Sequence, residues 1–174
     1  MRIKNYFVFI FLLVLLLVAS CDPSSTPKEK YYSSTKSTNL QSENVKSVSI
    51  GSSKYDIAIG LKKKPKFMEV TEQPPYTTYI YGKSKEKYDA EFKIADNKVS
   101  RYYLLSDKYA TEKGIHTGDS KQDVSKVYGE NYYEREDTGA TIIGYFDKNH
   151  KLNIEFSLDD KDKVGGILVQ KINN

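Results

Sequence analysis

The segment Ile154-Glu155-Phe156-Ser157-Leu158, residues 154–158, alternates apolar and polar side chains. Residues 90–94, Ala90-Glu91-Phe92-Lys93-Ile94, show the same alternation 64 positions earlier. A period of two is typical of a strand with one buried face and one exposed face. Short polar segments at residues 96–98, 147–150 and 159–163 adjoin these runs and favour hairpin turns. Strands joined by such short turns pair antiparallel, so the sequence predicts a meander.

Residues 48–174 repeat one pattern twice, and each copy begins with the signature of a helix start. Residues 51–57 (GSSKYDI) align with residues 118–124 (GDSKQDV) at an offset of 67, and three later blocks follow in the same order at offsets of 64 and 65. Each copy carries a serine with an aspartate three positions later, and this spacing is that of a capping box. The two pairs are Ser53 with Asp56 and Ser120 with Asp123.

The sequence therefore predicts an α+β fold made of two tandem repeats, residues 48–105 and residues 106–174. Each repeat is a helix followed by an antiparallel meander of three strands, and the two meanders form one sheet with both helices on one face. Apolar positions step by three residues in each last strand, and this step predicts a β-bulge there. The steps run from Val99 to Tyr102 and from Val164 to Ile167.

These motifs resemble a known bacterial repeat. The helix-opening pattern Gly-x-Ser-x-x-Asp-Val, the tyrosine-bearing strand and the Phe-x-Leu hairpin are similar to the tandem unit of the beta-lactamase inhibitory protein, of the small outer-membrane-assembly lipoproteins and of the CAP-associated domain. The resemblance covers residues 48–174, although the chain lacks tryptophan and has Lys62 where a helix-ending glycine is expected. It implies a non-catalytic binding module with an exposed, often concave sheet face for protein contacts.

Residues 1–20 predict a lipoprotein signal peptide. Arg2 and Lys4 precede fourteen residues, 6–19, that are apolar except for one tyrosine hydroxyl. That length suits a signal peptide and is short for a transmembrane helix. The following Val-Ala-Ser-Cys resembles the bacterial lipobox, which makes Cys21, the chain's only cysteine, the predicted lipidation site. The protein is then anchored by lipid to the cell membrane on its extracytoplasmic side. The alternative is an ordinary signal peptide with a chance cysteine beside it.

The segment after the lipidation site predicts a flexible linker, residues 21–47. Ten of the 26 residues from 22 to 47 are Ser or Thr, and aliphatic side chains are nearly absent. Without residues 1–20 the chain has 25 basic and 23 acidic side chains, a balance that gives no reason to expect nucleic-acid binding.

Strand parity predicts the binding residues. Positions that are apolar in both repeats are expected beneath the helices, and side chains of the opposite parity point to the other face. That second face is rich in apolar, aromatic and arginine side chains, which are enriched at sites for partner proteins. We expect it to bind an unidentified extracytoplasmic protein. The candidate residues are Ile80, Arg101, Tyr103, Leu105, Ile142, Phe146 and Leu168.

Two other functions compete with protein binding. The lysine run Lys62, Lys63, Lys64 and Lys66 is an alternative binding site for anionic envelope polymers or lipid headgroups. An enzyme is the third possibility, but the sequence contains none of the usual catalytic motifs. His116 and His150 have no third ligand near them in the sequence, so we expect neither a metal site nor a cofactor.

Overall fold

A computed structural model describes residues 27–172 of the chain, which divides into two compact units, Met1–Ser34 and Thr35–Asn174. In the first unit it describes one helix, α1 (Pro27–Ser34). The described part of the second unit contains two helices and eight strands. In chain order these are α2 (Lys54–Leu61), β1 (Phe67–Glu72), β2 (Pro75–Gly82), β3 (Tyr88–Ala95), β4 (Lys98–Leu104), α3 (Lys121–Tyr128), β5 (Tyr133–Asp137), β6 (Ala140–Asp147), β7 (Leu152–Leu158) and β8 (Val164–Lys171).

The strands form one antiparallel sheet in the order β1-β2-β3-β4-β8-β7-β6-β5. Each half of the chain is a four-stranded meander, and the last strands of the halves pair at the centre, where Tyr102 lies opposite Val169. This arrangement confirms the α+β class. The expectation of three strands in each half was wrong, because β1 and β5 were missed. Both are edge strands with mostly exposed side chains, so they lack the alternation of a half-buried strand.

Both predicted helix starts are confirmed. In α2 and α3 the serine side chain accepts a hydrogen bond from the backbone of the third helical residue, whose aspartate bonds back to the cap. α3 ends at Gly129 as expected. α2 ends at Lys62, which adopts the left-handed conformation (φ 53°) that usually favours glycine.

The hydrophobic core lies between the helices and one face of the sheet. Ile57 of α2 and Val124 of α3 belong to the same buried cluster as the strand residues Phe92, Tyr102 and Phe156. The predicted bulges are also present, because the strand registers shift between Lys93 and Ile94 and between Ser157 and Leu158. The parity prediction for the helix-covered face is therefore confirmed for nearly all of its residues, while Tyr79 is only partly buried. The buried ones are Tyr81, Phe92, Ile94, Val99, Tyr102, Leu104, Ile143, Tyr145, Phe156, Leu158, Val164, Ile167 and Val169.

The prediction of a flexible linker over residues 21–47 was wrong for residues 35–47, because these residues belong to the folded unit. Leu40 and Val45 are 1% and 0% exposed and lie in the core cluster. The backbone N–H of Thr38 donates to the carbonyl of Phe146 at 2.8 Å, which attaches the segment to β6. Two apolar side chains and specific hydrogen bonds order a stretch whose average composition is that of a linker.

Glu43 fastens the same segment to the second half of the chain. Its carboxylate is buried and accepts hydrogen bonds from the Tyr128 hydroxyl at 2.7 Å and from the Glu112 backbone N–H at 3.0 Å. Burial raises the pKa of Glu43, and the two hydrogen bonds oppose that shift only in part. The raised pKa means that ionisation of Glu43 lowers the stability of the folded protein as the pH rises. The hydrogen bonds of Glu43 nevertheless attach this segment to Tyr128 of α3.

Asp147 makes a second attachment. Its buried carboxylate accepts hydrogen bonds from the backbone N–H groups of Leu40, Asn149 and His150 at 2.8–3.0 Å. The Nδ1 of His150 also donates to it at 2.8 Å, because a carboxylate can only accept. Burial alone would raise the pKa of Asp147, but these bonds outweigh it and hold the pKa below its ordinary value.

We expect Asp147→Asn to lower the free energy of unfolding at pH 6 by about 2–4 kcal/mol, because an amide cannot accept all of these bonds. A carboxyl with a lowered folded-state pKa stabilises the fold above its unfolded pKa, near ~4, and this stabilisation is lost as the pH falls through the folded pKa. Urea unfolding of the variant should therefore depend less on pH below ~4 than that of the wild type. Asp160→Asn, at an exposed turn, is the control. Parallel pH profiles for wild type and Asp147→Asn would contradict the assignment.

Candidate functional site

The face of the sheet opposite the helices carries a groove of about 490 Å³. Four of the seven predicted binding residues line it: Arg101, Tyr103, Ile142 and Leu168. Tyr103 on β4 and Leu168 on β8 lie directly opposite each other, so the groove crosses the junction between the two halves. The groove thus contains residues from both meanders. The other residues along the groove are Tyr88, Glu91, Arg135, Asp137, Thr138, Ala140, Glu155, Ser157 and Gly166.

The other three predicted residues lie outside this groove. Leu105 is half-buried just beyond β4, and Ile80 is buried on β2, where it pairs with Phe67 of the edge strand. Phe146 is 0% exposed, and its ring stacks on that of Tyr133 with centroids 4.7 Å apart. The expectation that Phe146, Ile80 and Ile142 present exposed side chains was wrong, since Ile142 lines the groove but is only 8% exposed. Parity gives the face on which a side chain lies, but it does not reveal what covers that face locally.

A glycine fixes the position of Tyr103. A Cβ atom added to Gly166 would lie 2.5 Å from the Tyr103 hydroxyl oxygen and 2.9 Å from its Cζ atom. The phenol ring therefore occupies the space that any other residue at this position would fill. This close packing over Gly166 holds the half-buried tyrosine ring in one place, so its side chain has little rotamer freedom to lose when a partner binds.

Two arginines lie along the groove, each paired with a glutamate. Arg101 contacts Glu91 at 2.7 Å, and Arg135 contacts Glu155 at 3.2 Å and Asp137 at 2.6 Å. The Glu155 side chain is 5% exposed, so this carboxylate is largely removed from water. Burial alone would lower the pKa of Arg135, but its hydrogen bonds to the two carboxylates raise it, and the guanidinium stays charged.

A buried hydrogen-bond network supports this part of the groove. The Tyr133 hydroxyl donates to Glu155 and accepts from the Asn153 amide at 3.0 Å, and Gln170 donates to Asn153 at 3.3 Å. Burial raises the pKa of Tyr133 well above its usual range, and Glu155 adds to the shift. Burial, followed by Glu91, also raises the pKa of Tyr88 to about 12. Both phenols are therefore neutral hydrogen-bonding groups at physiological pH.

A second cavity of about 730 Å³ adjoins the groove toward the far ends of the strands, and Arg101 lines both hollows. Its wall includes Tyr76, whose ring centroid lies 3.6 Å from the Lys93 ammonium, and His150. Among the residues that the structure describes, Arg101 is the one lining residue that the two hollows share.

The groove combines aromatic, aliphatic and charged side chains on strands of the sheet. Tyrosine, arginine and leucine side chains stand on rigid strands, and the carboxylates of Glu91 and Glu155 are already engaged by guanidinium groups. Tyrosine and arginine are the residue types that contribute most to binding energy at protein interfaces. Within residues 27–172, no group of three or more His, Cys, Asp or Glu side chains is placed to hold a metal ion.

The remaining predicted positions are dispersed. Lys62, Lys63, Lys64 and Lys66 are exposed between α2 and β1, away from the groove. His116 lies 3.4 Å from Asp119, and His150 bonds to Asp147, so each histidine has a local carboxylate partner. Cys21 and the predicted signal peptide lie outside the described residues. Among the helices that are described, none has the length and apolar character needed to cross a bilayer.

Sequence reasoning missed the residues that come from β5. Tyr133, Arg135 and Asp137 alternate along this strand and point to the groove side, opposite Gly144, Ile142 and Ala140 of β6. The available signal was the pair Thr138-Gly139, which connects β5 to β6 with positive φ angles at both residues. Such a two-residue turn predicts a hairpin and therefore a strand before it.

These features define a class: an α+β protein with an eight-stranded antiparallel sheet, two capped helices on one face and a charged aromatic groove on the other. No protein family matches the sequence, and no curated protein is similar to it.

Solved structures with some likeness include an extracellular protein containing a SCP domain from Bacillus anthracis, at 13% identity and a TM-score of 0.49, covering 70% of this chain and 44% of that one. The uncharacterized protein yfeY from Escherichia coli shows 16% identity and a TM-score of 0.45, covering 71% and 92%. The DUF4309 family protein YjgB from Bacillus subtilis shows 9% identity and a TM-score of 0.36, covering 69% and 78%. The chain thus spans less than half of the Bacillus anthracis protein. Similarity at this level carries no conclusion about family or function.

Proposed function

We propose that this protein is a lipoprotein, anchored through Cys21 on the extracytoplasmic side of the cell membrane, that binds another protein without catalysing a reaction. The observation that carries the proposal is the groove on the second sheet face, where Arg101, Tyr103 and Leu168 meet across the junction of the two halves. A rigid sheet that presents an aromatic ring, a guanidinium and an aliphatic side chain together has the composition of an interface centre.

We also propose that the two halves are copies of one unit, as in the proteins that the sequence resembles. The backbone N–H of Gly51 donates to Val99, and that of Gly118 donates to Val164, both at 2.8 Å. Each glycine precedes a capped helix, and each valine is one of the first two residues of a bulged last strand. Matched contacts at matched positions support a duplicated unit whose paired central strands create the groove.

We expect Tyr103→Ala to weaken partner binding by more than about 1 kcal/mol, at least ~fivefold, with a smaller effect on stability. Tyr103 is half-buried over Gly166 and lies outside the core cluster, so its removal leaves that cluster intact and takes away the central aromatic contact. The measurement is the amount of partner that a tagged bait captures after crosslinking in intact envelopes, compared with wild type.

Val127→Ala is the matched control, because Val127 is an exposed apolar residue on α3, on the helix side. It should capture as much partner as the wild type. If Val127→Ala loses the partner while Tyr103→Ala retains it, binding occurs on the helix side and the proposal fails.

A further inference from the structure

Two lysine-rich loops that are distant in sequence lie together at one end of the sheet. The loop 62–66 leads into β1, and the loop 83–87 joins β2 to β3. The Lys66 ammonium donates to the carbonyl of Lys83 at 2.6 Å, and its backbone N–H donates to Ile80 at 2.9 Å. The loops together carry seven lysines, all exposed, and one glutamate, so the basic surface is larger than the sequence run alone indicated.

This concentration of positive charge is confined to one place. The rest of the chain after residue 20 has 18 basic and 22 acidic side chains, so it is net negative. Among the described residues, one ion pair involves these seven lysines: the Lys85 ammonium lies 2.6 Å from the Glu69 carboxylate. The ammonium of Lys63 instead lies 5.5 Å from the ring centroids of Tyr81 and Tyr109. Most of the charge is therefore directed at solvent.

Exposed apolar side chains precede and follow the loop 62–66 in the sequence. Tyr55 and Ile59 on α2 and Met68 and Val70 on β1 are between 60% and 73% exposed, and Ile59 and Met68 are the two nearest to this loop. Ile59 precedes this loop by three residues, and Met68 follows it by two. The corresponding positions of the second half carry polar or charged residues: Gln122, Lys126, Glu134 and Glu136. The apolar character is thus specific to the half that carries the lysines.

We propose that this lysine surface, the loops 62–66 and 83–87 with the exposed Ile59 and Met68 beside the first loop, docks on an anionic lipid bilayer. Clusters of four to eight lysines bind acidic headgroups, and apolar side chains at their margin enter the headgroup region. A soluble polyanion would match the lysines but would leave the apolar residues without a role. No residue of the lysine surface lines the groove.

The test uses residues 22–174, which contain the compact unit Thr35–Asn174 and the whole buried core cluster from Leu40 to Val169. Sedimentation with phosphatidylcholine vesicles, with and without phosphatidylglycerol, measures the partition coefficient. The wild type should bind the phosphatidylglycerol vesicles only, and binding should fall as salt is raised. Lys62→Gln with Lys64→Gln should lower partitioning about 25-fold, at about fivefold for each lysine. Lys126→Gln with Lys161→Gln removes the same charge elsewhere and should have little effect.

A second pair of variants tests the apolar part. Ile59→Gln with Met68→Gln should lower partitioning to anionic vesicles about tenfold, whereas Val127→Gln should not change it. The proposal is overturned if vesicle binding does not require phosphatidylglycerol, or if both lysine pairs reduce it equally. It is also overturned if Ile59→Gln with Met68→Gln has no effect. Binding of inorganic polyphosphate without binding to any vesicle would identify a soluble polyanion instead.

Discussion

Replacing Phe146 with alanine is expected to lower the free energy of unfolding by about 3–5 kcal/mol, the usual cost of removing a fully buried phenylalanine. Its ring is 0% exposed and stacks on Tyr133, and its carbonyl accepts the hydrogen bond that attaches Thr38 to β6. Truncation leaves a cavity and removes the surface on which the Tyr133 ring rests. Urea unfolding at neutral pH measures the change.

Tyr103→Ala is the comparison, because Tyr103 lies on the same sheet face but is only half-buried. We expect it to cost less than about 1.5 kcal/mol. Equal losses for the two variants would mean that the second face is buried uniformly and that no open groove is present at Tyr103.

Leu40→Ala is expected to cost about 2–5 kcal/mol, although residue 40 lies in a stretch that composition alone assigns to a linker. The side chain is buried in the core cluster, and its backbone N–H bonds to Asp147. Loss of the side chain therefore weakens both the core and the attachment of residues 35–47. The shift of the urea unfolding midpoint measures the cost.

Gln41→Ala changes the exposed neighbour and should leave the midpoint within about 0.5 kcal/mol of the wild type. A Leu40→Ala protein as stable as Gln41→Ala would show that residues 35–47 add nothing to the fold. The folded domain would then begin near residue 48, as the sequence alone predicted.

Local patterns predicted much of the sheet and both of its helices. The serine–aspartate pairs identified the helix starts because a capping box satisfies backbone donors within four residues. The three-residue steps at Val99 and Val164 identified the bulges because each extra residue reverses strand parity. These signals are short-range and do not depend on contacts between distant parts of the chain.

The missed features depend on contacts between distant parts of the chain. The edge strands β1 and β5 bury little, so their side chains carry no alternation. Residues 35–47 are ordered by partners more than 60 positions away, Asp147 for Leu40 and Tyr128 for Glu43. No local pattern contains such information. The groove shows the same limit, because parity found Arg101 and Tyr103 but not Arg135, whose strand had not been recognised.

The most direct test of the proposed function is site-specific photocrosslinking in intact cells. A photoreactive amino acid placed at position 103, in the groove, is compared with the same residue at position 126, exposed on α3. We expect a discrete crosslinked adduct with one partner protein from position 103, lost when Leu168→Arg fills the groove, and none from position 126. An adduct from position 126 alone, or none from position 103, would contradict protein binding at this face.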